Sequence, residues 1–168
     1  MGVPIEIERK FVIALPDFDL ISTLDGYSSS LILQTYLKSS DAITHRVRAR
    51  SFGENTVYTE TKKIRIDSMS AFEDERELSE EEYNTLLEDV MPGTVTLRKT
   101  RHTFTHLGRT LEIDVYPEWQ RSCILEVELS SREQTVEFPE FITVISEVTG
   151  DKKYSNASMS RVFPKELI

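Results

Sequence analysis

Ile5-Glu6-Ile7-Glu8-Arg9-Lys10-Phe11 is the stretch around which the rest of the chain is organised. In an extended strand, side chains alternate between faces, so Glu6, Glu8 and Lys10 project together while Ile5, Ile7 and Phe11 project oppositely. A charged face backed by an apolar one describes most half-buried antiparallel strands, whose outer face is simply solvated. The number of other strands repeating the pattern decides whether this face is more than that.

The pattern recurs along most of the chain. Near residues 31–38, Gln34, Tyr36 and Lys38 share a face against Leu33, Thr35 and Leu37, and near 45–50 the set Arg46, Arg48 and Arg50 opposes His45, Val47 and Ala49. Lys62 follows the strand-like residues 57–61, with Glu60 on its face by alternation. Glu73, Glu75 and Glu77 then align, followed by Lys99 with Arg101, Glu112 with Asp114, and Glu126 with Glu128. The last two pairs stand opposite core-like sets: Leu111, Ile113 and Val115, then Leu125, Val127 and Leu129.

Apart from the face shared by Glu60 and Lys62, each strand after the first carries one sign of charge, whereas a merely solvated face mixes signs along each strand. Like charges at alternate positions repel, so opposite charges must meet them between strands or in the space the strands enclose. This favours a sheet closed into a barrel, its charged face lining a wet lumen and its apolar face outward beneath helices.

Three stretches read as helices. Residues 16–24 carry Leu20, Ile21 and Leu24 and stop at Asp25-Gly26. Ser79 and Glu82 form a capping-box pattern ahead of Tyr83, Leu86, Leu87 and Val90, with Pro92-Gly93 as the stop. Residues 139–150 open at Pro139, carry Ile142, Ile145 and Val148, and close at Gly150.

At 168 residues the chain fits one domain, 1–168, and the single Cys123 excludes an intrachain disulfide. It has no apolar run of membrane-spanning length and no signal-peptide pattern, so a soluble, cytoplasmic protein is expected. The net charge of −9 argues against general affinity for nucleic acid or an anionic membrane, but leaves a local basic cavity open.

Carboxylates without imidazole or thiol among them select hard cations, Mg²⁺ or Mn²⁺, over Zn²⁺. His45, His102 and Cys123 fall with the outer set and are read as structural. Arginines and lysines converging on the same space suit phosphate oxygens. Metal, cations and carboxylates together describe a polyphosphate site.

Glu6-Ile7-Glu8-Arg9-Lys10 resembles the ExExK signature of the CYTH superfamily, the triphosphate tunnel metalloenzymes. The likeness continues in order through Gln34-Thr35-Tyr36-Leu37, Arg46-Val47-Arg48, Thr61-Lys62, Glu73 to Glu77, Lys99-Thr100-Arg101, Glu112-Ile113-Asp114-Val115, Glu126-Val127-Glu128-Leu129 and Glu147-Val148-Thr149-Gly150-Asp151. It spans nearly the whole chain.

The resemblance implies an α+β fold, an eight-stranded antiparallel β-barrel with a charged lumen and helices packed outside. It further implies phosphate binding by Lys10, Arg46, Arg48, Lys62, Lys99 and Arg101, with Lys10, Arg48 and Arg101 acting on the transferred group. Glu6, Glu8, Glu126 and Glu128 match the metal-binding set, Asp114 a further ligand, and Glu73 and Glu75 a second metal or its waters. Tyr36 matches a proposed proton acceptor, although a tyrosine that only hydrogen-bonds at the tunnel wall reads equally well. The extra positive charge of Arg98 falls outside, 62–65 forms a lip at a tunnel mouth or a solvated loop, and 151–168 is placed to plug one end, with Lys152 or Lys153 in reach of a phosphate.

The implied activity is metal-dependent hydrolysis of a small-molecule triphosphate by a monomer or homodimer. Inorganic tripolyphosphate is the first substrate. A thiamine triphosphatase, nucleoside triphosphatase or class IV adenylyl cyclase is the alternative, and a polyphosphate-binding module the non-enzymatic one.

Overall fold

A computed structural model describes residues 4–168. Nine strands follow in chain order: β1 (Ile5–Ala14), β2 (Ser28–Leu37), β3 (Thr44–Phe52), β4 (Asn55–Arg65), β5 (Ser70–Leu78), β6 (Leu97–His106), β7 (Arg109–Val115), β8 (Ser122–Glu128) and β9 (Val144–Glu147). The sheet order is β5-β4-β3-β2-β6-β7-β8-β1-β9, and a further β5–β1 pairing closes eight antiparallel strands into a barrel. Closure leaves β1 with two partners on one side: β5 along Ile5 to Ile7, then β9 along Phe11 to Ile13.

That arrangement explains the one helix that does not form. Residues 139–150 are a loop followed by β9, not a helix. The β-branched run Ile142-Thr143-Val144-Ile145 suits an extended backbone, and β1 offers open hydrogen-bonding groups once β5 has parted from it. β9 takes them, Val148 N–H continues to Lys10 O at 2.9 Å, and Gly150 ends the segment at φ +73°.

The other two helices form where expected but are short. Asp17 caps the single turn α1 (Phe18–Ile21) by accepting from Asp19 and Leu20 N–H. Ser79 and Glu82 complete a reciprocal capping box on α2 (Glu80–Leu86). A third helical turn, α3 (Asn156–Met159), lies in the C-terminal segment. Among the described residues no helix is long and apolar enough to cross a membrane.

Apolar burial falls into three clusters, two of them outside the barrel as the alternation requires. Outer residues of β1, β6, β7 and β8, including Phe11, Phe104, Ile113 and Leu125, pack with Ile21 of α1 and Ile142. Val47, Ala49 and Leu78 pack with Tyr83 of α2. The third cluster is inside: Val12, Tyr36, Leu97 and Ile124 continue the lumen-facing rows and meet Tyr116, Trp119, Val148, Tyr154 and Met159. The lumen is therefore charged over most of its length and stoppered at one end by an apolar plug, to which residues 151–168 contribute.

Candidate functional site

Cross-strand register sets which side chains enter the barrel. Arg46 stands opposite Tyr36 and Thr61, Arg48 opposite Gln34 and Thr59, and Thr61 opposite Glu75. On β4 the inward row is therefore Thr59, Thr61 and Lys63. Lys62 falls on the exposed outer face, opposite His45 and Asp74. The expected phosphate-binding Lys62 is thus displaced by one residue, and its place in the lumen is held by Lys63. Glu60 goes outward with Lys62, where it meets His45 at 2.6 Å and also bonds Arg76.

A cavity of about 690 Å³ occupies the barrel beyond the plug. Eight basic and eight acidic side chains line it. In a chain with 20 basic and 29 acidic residues, basic groups are therefore concentrated here. Lys10, Tyr36, Arg46, Arg48, Arg101, Glu6, Glu8, Glu73, Glu75 and Glu126 all line it. Lys99, Asp114 and Glu128 do not: the first two are fully buried behind the wall, and Glu128, opposite Glu8 in the β1–β8 register, is exposed. Residues from 148–157, Lys152 included, close the cavity from the C-terminal side, and Arg65 at the end of β4 is joined there by Asp67 and Ser68 of the β4–β5 turn.

Opposite charges meet across the strands, as like-charged rows demand. Lys10 Nζ lies 3.5 Å from Glu126, Arg101 Nη1 2.6 Å from Glu112, and Arg46 Nη2 3.7 Å from Glu73. Lys63 Nζ lies 2.9 Å from Glu6 and 3.7 Å from Glu73. Despite burial, Lys10 and Arg101 hold the Glu126 carboxylate down to about 2.

Arg50, whose Nε donates to Ser30 Oγ at 2.8 Å, makes no ion pair among the described residues, and neither does Arg48. The Arg48 guanidinium donates from Nε (3.1 Å) and Nη2 (2.7 Å) to the neutral amide oxygen of Gln34. Burial and then the charges of Arg46 and Arg101 bring its pKa down to about 10. Arg46 Nε is also buried without a hydrogen-bond partner. Crowded, incompletely neutralised guanidinium groups form a ready site for a multiply charged anion. Gln34 in turn donates to Tyr36 Oη at 2.6 Å, fixing that hydroxyl at the wall.

Among the described residues no three His, Cys, Asp or Glu side chains are gathered tightly enough to enclose a metal ion. The donor chemistry nevertheless fits a hard divalent cation. Burial, then the nearby carboxylates of Glu126 and Glu6, push Glu8 up to about 8, outweighing the opposing charges of Lys63 and Lys10. Glu73 Oε2 is buried and lacks a hydrogen bond. His45 and His102 stay outside, the latter stacked on Phe18 and 3.0 Å from Tyr27 Oη. Burial raises the Cys123 thiol to about 12, which leaves it inert.

Sequence reasoning missed the inward place of Lys63, the bonds of Gln34 to Arg48 and Tyr36, and the lining role of Thr149 and Gly150, whereas it does set 151–168 at one end with Lys152 in reach of a phosphate. The alternation Thr59, Thr61, Lys63 was available as a signal, but the adjacent Lys62 continues an equally regular row.

No protein-family model and no curated protein sequence matches the chain. Solved structures do. The inorganic triphosphatase NE1496 is similar over 95% of this chain and 97% of its own, at 27% identity and a TM-score of 0.60. PH1819 from Pyrococcus horikoshii OT3 matches over 76% of this chain and 80% of its own, at 18% identity and a TM-score of 0.57. The Hippeastrum protein HpAC1, with a dominant triphosphatase activity, matches over 76% and 81%, at 17% identity and a TM-score of 0.55. These last two speak to the fold alone.

Proposed function

We propose that this chain, a triphosphate tunnel protein of the CYTH superfamily by its fold and ordered motifs, is a metal-dependent hydrolase of inorganic tripolyphosphate. The observation that carries the reading is the guanidinium cluster: Arg48 half-buried on a neutral amide, Arg46 with an unpartnered Nε, and Arg101 close enough to depress Arg48. The similarity to the triphosphatase NE1496 supports the same activity.

In this reading Lys10, Arg46, Arg48, Lys63 and Arg101 bind the phosphate chain and stabilise the charge that builds on its oxygens as the anhydride breaks. Gln34 holds Arg48 in plane, and the apolar plug excludes bulk water from one end. Glu6, Glu8 and Glu126 are the residues that would hold Mg²⁺ or Mn²⁺, with Glu73 and Glu75 near them in the lumen. When bound, that cation supplies charge neutralisation and a more acidic water. Attack by water needs no covalent protein intermediate, so the inert Cys123 has no part in it.

The test is a phosphate-release panel of tripolyphosphate, thiamine triphosphate, ATP, GTP and pyrophosphate, each with Mg²⁺ and with Mn²⁺. Tripolyphosphate is expected to yield pyrophosphate and phosphate faster than any other substrate is cleaved, with no turnover after chelation. Cyclic AMP as the main product from ATP, or tight tripolyphosphate binding without turnover, would overturn the reading.

A further inference from the structure

Behind the cavity wall lies a charged layer that the lumen does not reach. The Asp114 carboxylate accepts from Arg101 Nε at 2.7 Å through Oδ1, and from Arg101 Nη2 at 2.8 Å and Lys99 Nζ at 2.6 Å through Oδ2. Lys99 and Asp114 have no exposed surface. The Lys99 ammonium sits 5.8 Å over the Tyr116 ring, and Asp114 is its sole hydrogen-bond partner among the described residues. Arg101 alone of the three lines the cavity, where its Nη1 donates to Glu112 at 2.6 Å.

A carboxylate that takes a guanidinium by two parallel bonds fixes both its position and its plane. With Nε and one hydrogen of Nη2 on Asp114 and one hydrogen of Nη1 on Glu112, one hydrogen on each terminal nitrogen is left for a ligand. For Asp114 to reach a metal, or Lys99 a phosphate, these charge-assisted bonds would have to break between groups with no exposed surface through which to regain hydration. Burial would raise the Asp114 carboxyl, but Arg101 and Lys99 hold it far below its ordinary value.

Resting on the function proposed above, we propose that Asp114, backed by Lys99, is a positioning residue that aims Arg101 at the triphosphate, and that neither touches metal or substrate. Arg101 does the binding, Asp114 sets its plane, and Lys99 balances the buried charge that Asp114 brings.

A double-mutant cycle on tripolyphosphate hydrolysis tests this. Asp114→Asn should lower kcat/KM by about tenfold or more, as a misaligned binding group does, while the Mg²⁺ concentration giving half-maximal activity stays as in wild type. In an Arg101→Ala background the same substitution should add less than about a twofold loss, because its effect runs through Arg101. A repeat of the cycle with the pair Lys99→Met/Asp114→Asn, which removes both charges together, covers the case in which Asp114→Asn alone fails to fold. It should give the same non-additivity. Equal losses in both backgrounds, or a shifted Mg²⁺ requirement, would overturn the positioning role while wild-type turnover upholds the triphosphatase reading. A wild-type protein inert toward every triphosphate would overturn that reading, and this proposal with it.

Discussion

Lys63 Nζ lies 2.9 Å from Glu6 Oε2, although the two belong to strands separated by β5 in the barrel wall. The contact ties β4 to β1 across the lumen, with Glu73 of the intervening strand 3.7 Å from the same ammonium. Lys63 thus stands where acidic and basic lumen groups meet, and its neighbour Lys62 stands in solvent on the outer face.

Lys63→Ala should lower kcat/KM for tripolyphosphate by about a hundredfold, the scale for losing a well-placed charged donor at a developing oxyanion. Lys62→Ala should remain within about twofold of wild type, because an isolated exposed charge contributes little. Steady-state kinetics on the two variants decide the register of β4: the reverse ranking would put Lys62 in the lumen.

Glu8 supplies a pH dependence with a definite sign. Its folded-state pKa of about 8 lies above the ordinary value of 4.5, so the folded protein keeps a proton that the unfolded chain gives up. Below about pH 4.5 the carboxyl is protonated in both states and costs nothing. As pH rises from there through about 8 the metal-free protein loses stability. Thermal melts in chelator should therefore fall across this window, and Glu8→Gln should flatten the fall. Because a bound cation needs the ionised form, Mg²⁺ addition at pH 7 should release about one proton per site. Calorimetry in buffers of different ionisation enthalpy measures that number, and a value near zero would remove Glu8 from the metal set.

Gly150 closes the loop that lines the C-terminal side of the cavity, at φ +73°. A Cβ there would lie 2.6 Å from Ser68 Cβ and 3.1 Å from Ser68 Cα in the β4–β5 turn. Gly150→Ala therefore combines a left-handed backbone, costing about 1–2 kcal/mol, with a clash that neither loop can relieve without moving. The variant should melt lower, and KM for tripolyphosphate should rise as the loop and turn part. Adding Ser68→Gly, which removes the opposing Cβ, should restore part of both. A Gly150→Ala protein with wild-type stability and KM would show that this contact closes nothing.

Much of this molecule is determined by sequence alone. Period-two alternation puts Glu6, Glu8, Lys10, Arg46, Arg48, Glu73, Glu75, Arg101 and Glu126 on shared faces, and like-charge rows force those faces toward one another. The barrel and most of the cavity wall follow from that local rule, as does the outward placement of His45, His102 and Cys123. What alternation cannot supply is parity where neither row is apolar. Along Tyr58-Thr59-Glu60-Thr61-Lys62-Lys63 both rows end in lysine, so only the pairing of Thr61 with Arg46 and Glu75 decides that Lys63 enters. Nor does it say how deep an inward residue lies. Lys99, Asp114, Arg101 and Glu128 share the inward faces of their strands. Yet the first two lie behind the wall beside the plug built by Tyr116, Trp119 and Tyr154, while Arg101 lines the cavity and Glu128 stands in solvent. The conversion of 139–150 from helix to β9 has the same origin: an apolar spacing compatible with a helix was overridden by the open edge that closure of the barrel left along β1.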